Sequence, residues 1–307
     1  MIHTLTLNPA LDLRMRLAHP RLGELNRAQS VALEPSGKGL NVARALARQH
    51  FPVRAVLPLG GLFGQVVEQL ALGIELAAVP IAGATRCNVK VADTSSGSVT
   101  EFNAPGPTLQ PTEWEAVQKS LFAPLRPGDA VVLAGSLPPG LQSDTYAELT
   151  TQLVTRGARV FLDTEGESLR IGLEARPHLI KPNREEAEHL LGTPIQATRE
   201  ALEAARALQA KGAERVVLSL GAEGAVFVGP EGAVLAAPPQ IQPYSTVGCG
   251  DALLAGAVAG LTQGLTWAEV ARQATAWAVA RALVRGSEFP TLQEVQGVIG
   301  DVMVKDL

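Results

Sequence analysis

Short runs of branched apolar residues alternate with segments of helical period along this chain. No other feature restricts its fold as much. Ala130–Ala134, Arg159–Leu162 and Arg215–Leu220 are too short for helices and mostly apolar, so they read as strands covered on both faces. Between them lie segments with helix start and stop signals. Ser143 precedes one that Gly157 ends, and Thr198 precedes one that Gly212 ends. Thr266 with Glu269, and Thr291 with Glu294, have the spacing of capping boxes. Such alternation predicts an α/β fold, a mostly parallel central sheet flanked by helices on both faces. Ligands of such sheets sit beyond the carboxyl ends of the strands.

Two stretches, about 11–36 and 81–104, break the rhythm. Both alternate polar and apolar residues, as in Asn88-Val-Lys-Val-Ala, and read as antiparallel strands with one wet face. They are expected to form a small sheet that projects from one domain spanning residues 1–307. Its exposed apolar face needs a cover, either a substrate or a second copy of the chain.

The sharpest chemical signal is Thr-Val-Gly-Cys-Gly-Asp at 246–251, followed at once by the apolar run 252–261. Glycines at 248 and 250 let backbone N–H groups converge, and the helix that starts there adds unpaired N–H groups and its positive dipole end. The turn Gly248, Cys249, Gly250 is therefore a candidate anion hole. Asp251 beside it fits a base that takes a proton from a hydroxyl attacking a phosphoryl group. A helix N-terminus also tends to lower a thiol pKa, which would make Cys249 oxidisable. No third glycine makes a dinucleotide fingerprint and no Gly-Lys-Ser/Thr makes a P-loop, which argues against a nicotinamide oxidoreductase.

The net charge of −4 argues against a nucleic-acid or anionic-membrane partner. Only two cysteines, Cys87 and Cys249, occur, which suits a reducing, cytoplasmic setting. The N-terminus lacks a basic leader pattern and reads as a first strand. Further polar signatures close predicted strands: Asn-Pro-Ala-Leu-Asp ending at Asp12, Gly-Lys-Gly-Leu-Asn at 37–41, and Thr-Arg-Cys-Asn-Val-Lys at 85–90. Gly-Ser-Leu-Pro-Pro-Gly at 135–140, Lys-Pro-Asn-Arg-Glu-Glu at 181–186 and Ser-Leu-Gly-Ala-Glu-Gly at 219–224 complete the set. Arg86 and Lys90 fall on one strand face, because their spacing is even.

Taken in order, these motifs resemble the ribokinase-like sugar kinases, and within them the phosphosugar branch, from residue 4 to about 290. The resemblance implies ATP-dependent phosphorylation of a ketohexose phosphate. Fructose 1-phosphate is the first expectation, with tagatose 6-phosphate and fructose 6-phosphate as alternatives and a non-catalytic sugar-phosphate-binding regulator as the outlying one. It implies that Asp251 is the base. Asp12, Gly39 and Asn41 would hold sugar hydroxyls. Lys38, Arg86 and Lys90 would bind the phosphate already on the sugar, and Asn103 and Ser136 would line the sugar site. Lys181, Ser219, Gly221 and Gly224 would contact ATP. Asn183 and Glu186 would organise Mg²⁺ through waters. Residues 245–247 and 284–288 would wrap K⁺ with backbone oxygens, although Arg281 and Arg285 stand bulkier there than the resemblance leads one to expect. The small sheet would act as a lid and as the contact of a homodimer.

Overall fold

The structure, a computed structural model, describes residues 1–307. Its strands are β1 (Ile2–Leu5), β2 (Ala10–Leu17), β3 (Ser30–Ser36), β4 (Val53–Leu59), β5 (Glu75–Pro80), β6 (Arg86–Asp93), β7 (Val99–Phe102), β8 (Ala130–Ala134), β9 (Arg159–Asp163), β10 (Leu179–Ile180), β11 (Arg215–Ser219), β12 (Ala225–Gly229), β13 (Gly232–Ala237) and β14 (Met303–Asp306). Ten of them make one sheet in the order β14-β13-β12-β11-β10-β9-β8-β1-β4-β5. From β11 to β5 every pairing is parallel, and the β12–β14 edge is antiparallel. The strands read as doubly covered are buried along their length, with Val131, Val132, Leu133, Val216 and Val217 fully inaccessible. The expected mixed α/β architecture is thus present.

The parallel strands release their polar residues at one edge. Asp163 ends β9, Lys181 follows β10, Ser136 follows β8 and Ser219 ends β11. The helix Cys249–Gln263 is buried almost all round, including Ala255, Gly256 and Ala259. Its small residues let it lie close to the helix Trp267–Leu283, so that a methyl added at Gly256 would stand 2.7 Å from Ala274 Cα. A helix apolar on all sides belongs in a core.

The small sheet has the order β3-β2-β6-β7. Its outer pairs are antiparallel, but the central pair β2–β6 is parallel, which corrects the expectation of antiparallel strands throughout. The cause is connectivity. Between β3 and β6 the chain crosses to the large sheet, builds β4 and β5, and returns in the direction of β2. Two helix starts also differ from expectation. The helix after Ser143 begins at Thr145, with Asp144 already in helical conformation and no side-chain cap. Thr198 is the first residue of its helix rather than its cap. Thr266 and Thr291 do cap, each paired with its glutamate.

Candidate active site

Gly248 turns the chain with φ of 81°, and the helix Cys249–Gln263 starts after it. The amides of Gly250 and Asp251 donate to no group within the protein. The Cys249 amide instead turns back to the Thr246 carbonyl at 3.2 Å, so it does not join them. Lys181 approaches this turn, its Nζ 3.4 Å from where a Gly250 side chain would begin. Orphan N–H groups, a helix dipole and an ammonium group together make a site for a multiply charged anion.

Asp251 is buried beside that turn and accepts a hydrogen bond from Asn41 Nδ2 at 2.8 Å. Burial and the neighbouring Asp163 raise its pKa, while Asn41, Lys38 and Lys181 oppose the shift. A carboxylate of raised basicity in a water-poor cleft is suited to accept a proton. Asn41, expected on the sugar hydroxyls, also aims this carboxylate. Gly39 packs against β1, where a side chain would meet the Leu5 carbonyl at 2.6 Å.

Asp163 has no counterpart among the expected residues, yet it organises the centre. It is 1 % exposed and lies 3.3 Å from both Lys38 Nζ and Lys181 Nζ. Burial alone would raise its pKa, but the two ammonium groups hold it below the usual carboxylate range. Lys38 in turn is held protonated, above all by Asp163, with Glu186 at 3.7 Å.

The three cations expected on one phosphate therefore have separate engagements. Lys38 belongs to the Asp163–Asp251 centre. Lys90 sits on the small sheet, 2.7 Å from Asp12 and 3.6 Å from Glu101. Arg86 pairs with no acid. It donates to the carbonyls of Ala104 at 2.8 Å and Asn8 at 2.9 Å, and its Nε finds no acceptor in the protein. It faces a cleft of about 520 Å³ at the joint between the two sheets, lined also by Gly83 and by residues 104–108. Asp12 is fixed by Lys90 and by Asn88 Nδ2 at 2.9 Å. Asn88 went unassigned in the sequence, although its register opposite Asp12 places it there. Asn8, also unassigned, reaches Ser136 Oγ at 3.3 Å and the Pro105 carbonyl at 3.0 Å, tying the cleft's walls together. Asn103 lies exposed just beyond β7.

Asn183 and Glu186 form a reciprocal capping box on the helix Arg184–Leu191, at 2.8 and 2.9 Å. Outside these hydrogen bonds Glu186 Oε1 faces Lys38 Nζ at 3.7 Å, and no group of three or more His, Cys, Asp or Glu side chains could hold a metal ion. The residues fit a metal that arrives with phosphate and water as its ligands, not a resident one. Ser219 bonds back to the Pro182 carbonyl, while Gly221 and Gly224 shape the turn after β11, where a side chain at 224 would strike the Ala236 carbonyl. Burial pushes the Cys249 thiol up to about 11, the reverse of the expected shift, because the desolvation of a thiolate outweighs the nearby Arg281.

The pattern of the pfkB family of carbohydrate kinases matches residues 6–294. The chain belongs to this family. Its similarity to the 1-phosphofructokinase of Bacillus subtilis is 35% identity over the whole of both chains. The structure of phosphofructokinase-2 from Escherichia coli in complex with potassium superposes with a TM-score of 0.92, at 30% identity over 98% of each chain. Ribokinase of Thermotoga maritima, 18% identical, shares the fold with a TM-score of 0.77, covering 97% of this chain and 98% of that one. Lys38, Asn41 and Lys181 meet around Asp251, Asp163 and the Gly248 turn, whereas Asp12, Arg86 and Lys90 are engaged elsewhere. Arg281 stands at the loop expected to hold a cation. It is 2 % exposed and directs its guanidinium into the 284–286 loop, donating to the carbonyls of Val284 at 3.3 Å and Gly286 at 2.9 Å. Two of the carbonyls expected to wrap K⁺, those of Val284 and Gly286, thus accept from a side chain of the protein itself.

Proposed function

We propose that the protein transfers the terminal phosphoryl group of ATP to the free primary hydroxyl of fructose 1-phosphate, giving fructose 1,6-bisphosphate and ADP. The observation that carries the reading is the buried Asp251 carboxylate, aimed by Asn41 and set beside unpaired amides and Lys181. Full-length similarity to a 1-phosphofructokinase supports the substrate class.

The acceptor hydroxyl loses its proton to Asp251 as its oxygen forms the new bond to phosphorus. The bond from phosphorus to the ADP oxygen breaks, and its electrons leave with ADP. The Gly250 and Asp251 amides, Lys181 and Lys38 meet the charge that gathers on the phosphoryl oxygens. Asp163 keeps Lys38 charged and holds both lysines in place. Mg²⁺, bound with ATP and held through water by Glu186 and Asn183, would neutralise phosphate charge. Asp12 holds sugar hydroxyls at the lid side, with Gly39 and Ser136 shaping the sugar pocket and Asn103 at its rim. Arg86 grips the non-reacting phosphate, the task for which its planar fork is suited. Lys90 acts on substrate through Asp12. Gly221, Gly224 and Ser219 form the floor for the nucleotide. The small sheet is the lid of a single-domain, cytoplasmic enzyme and the contact of a homodimer.

Coupled assays of ADP release with fructose 1-phosphate, tagatose 6-phosphate, fructose 6-phosphate and fructose test this reading. Fructose 1-phosphate should give the highest kcat/KM. A preference for either 6-phosphate would move the assignment within the family, and efficient use of plain fructose would remove the role of Arg86.

A further inference from the structure

The loop that follows the helix Trp267–Leu283 is built around a positive charge belonging to the chain itself. Arg281 lies in the last turn of that helix. No carboxylate pairs with it; its partners are the Val284 and Gly286 carbonyls and the Phe289 ring, whose centroid is 5.6 Å from the guanidinium carbon. Its third donor, Nε, is buried without an acceptor and stands 3.2 Å from where a Gly248 side chain would begin. The guanidinium therefore lies between the 284–286 loop and the turn that forms the anion hole. A second arginine, Arg44, donates to the Ser287 carbonyl at 3.3 Å and approaches Glu288 at 3.7 Å. The opposite segment is tied to the same helix end, with the amides of Tyr244 and Ser245 donating to the Ala282 carbonyl.

An unpaired buried charge is costly unless dipoles or a counter-charge compensate it. Here the helix C-terminus and two loop carbonyls supply the dipoles, and the remaining positive potential falls on the Gly248 turn. We propose that the Arg281 guanidinium is a built-in cation, occupying the carbonyl cage that a monovalent ion would fill and supporting the anion hole from behind. The chain thereby carries its own substitute for a dissociable K⁺. Arg281 is a positioning residue on this reading, because it acts through the Gly248 turn and does not touch substrate. The inference rests on the kinase reading for its catalytic part, while the cage itself can be tested without turnover.

The experiment compares wild type, Arg281→Ala and Arg281→Lys in KCl and in choline chloride at equal ionic strength. Wild type should show the same kcat and the same Tm in both salts. Arg281→Ala should lose about 10–100-fold in kcat in choline with little change in sugar KM. KCl, or methylguanidinium added at non-denaturing concentration, should restore part of that loss. The Tm of Arg281→Ala should rise by about 2–4 °C in KCl relative to choline, since an ion that binds only the folded state stabilises it. Arg281→Lys, which keeps the charge, should fall between the two and respond less to K⁺. A wild type that needs K⁺, or an Arg281→Ala protein whose Tm and kcat ignore both cations, would overturn the proposal. If Arg281→Ala does not fold, Arg281→Lys and the wild-type salt comparison still decide it. A protein inactive on fructose 1-phosphate but with the predicted Tm responses would refute the substrate assignment alone.

Discussion

Asp251 works among opposed charges, and its protonation follows from that setting. Its folded pKa is raised first by burial and then by Asp163. The active carboxylate form exists above that pKa, so kcat/KM should fall as pH drops through it, at a pH above the ordinary carboxylate range. Asn41→Ala removes the hydrogen bond that favours the charged form. It should shift the acid limb of the pH–rate profile upward; an unmoved limb would show that the two side chains are uncoupled. Asp251→Asn keeps the shape and abolishes proton acceptance, and kcat should fall by roughly 10²–10⁴ with ATP binding nearly intact. Residual activity above a tenth of wild type would dismiss Asp251 as base. The glycine turn, the helix start and the carboxylate beside them could be read from six consecutive residues, because a helix N-terminus is a local object. Asp163 could not. At the end of a buried strand it looks like a boundary residue, and only the fold brings Lys38 and Lys181 to 3.3 Å from it. Arg281 stands out in the sequence as too bulky for its place, but only the fold brings its donors to the Val284 and Gly286 carbonyls.

Among the elements, the helix that carries Asp251 owes its position to small residues. Gly256 faces Ala274 and Trp277, and a methyl there would lie 2.7 Å from Ala274 Cα and 3.1 Å from Trp277 Cγ. Gly256→Ala gains helix propensity, yet the overpacking should dominate and cost about 1–3 kcal/mol in urea unfolding. The same substitution should lower kcat by displacing the Gly248 turn. A neutral or stabilising result would mean that the two helices can part freely. Capping explains why some boundaries were legible and others not. Thr266 and Thr291 have the extended backbone that lets a hydroxyl reach the third amide, whereas Asp144 is already helical, so Ser143 has no cap to make. Strand direction was harder still. The parallel pairing of β2 with β6 depends on the path through β4 and β5, which no local pattern encodes.

The whole molecule keeps two unlike faces on its small sheet, and their register shows how each is used. Across the sheet Leu33, Leu13, Val89 and Phe102 lie in one row, and Val31, Met15 and Val91 in the next. Partners directly opposite point the same way, so these residues share one apolar face. Asp12, Arg14, Glu34, Asn88, Lys90 and Glu101 occupy the other, polar face. On the apolar face Val31 is 57 % exposed and Phe102 52 %, an unusual cost for a four-stranded sheet standing away from the core. A second copy related by two-fold symmetry would cover like with like. Light scattering should therefore find a dimer at micromolar concentration. Phe102→Asp places a carboxylate on the exposed edge of that face and should weaken association by about 30-fold or more, the effect of losing a 2 kcal/mol anchor. Because the opposite face of the same strands holds Asp12 and Lys90, the freed lid should raise the KM for the sugar phosphate more than the KM for ATP. A wild-type monomer with full activity would refute the arrangement, and a monomeric Phe102→Asp protein with an unchanged sugar KM would separate assembly from the lid.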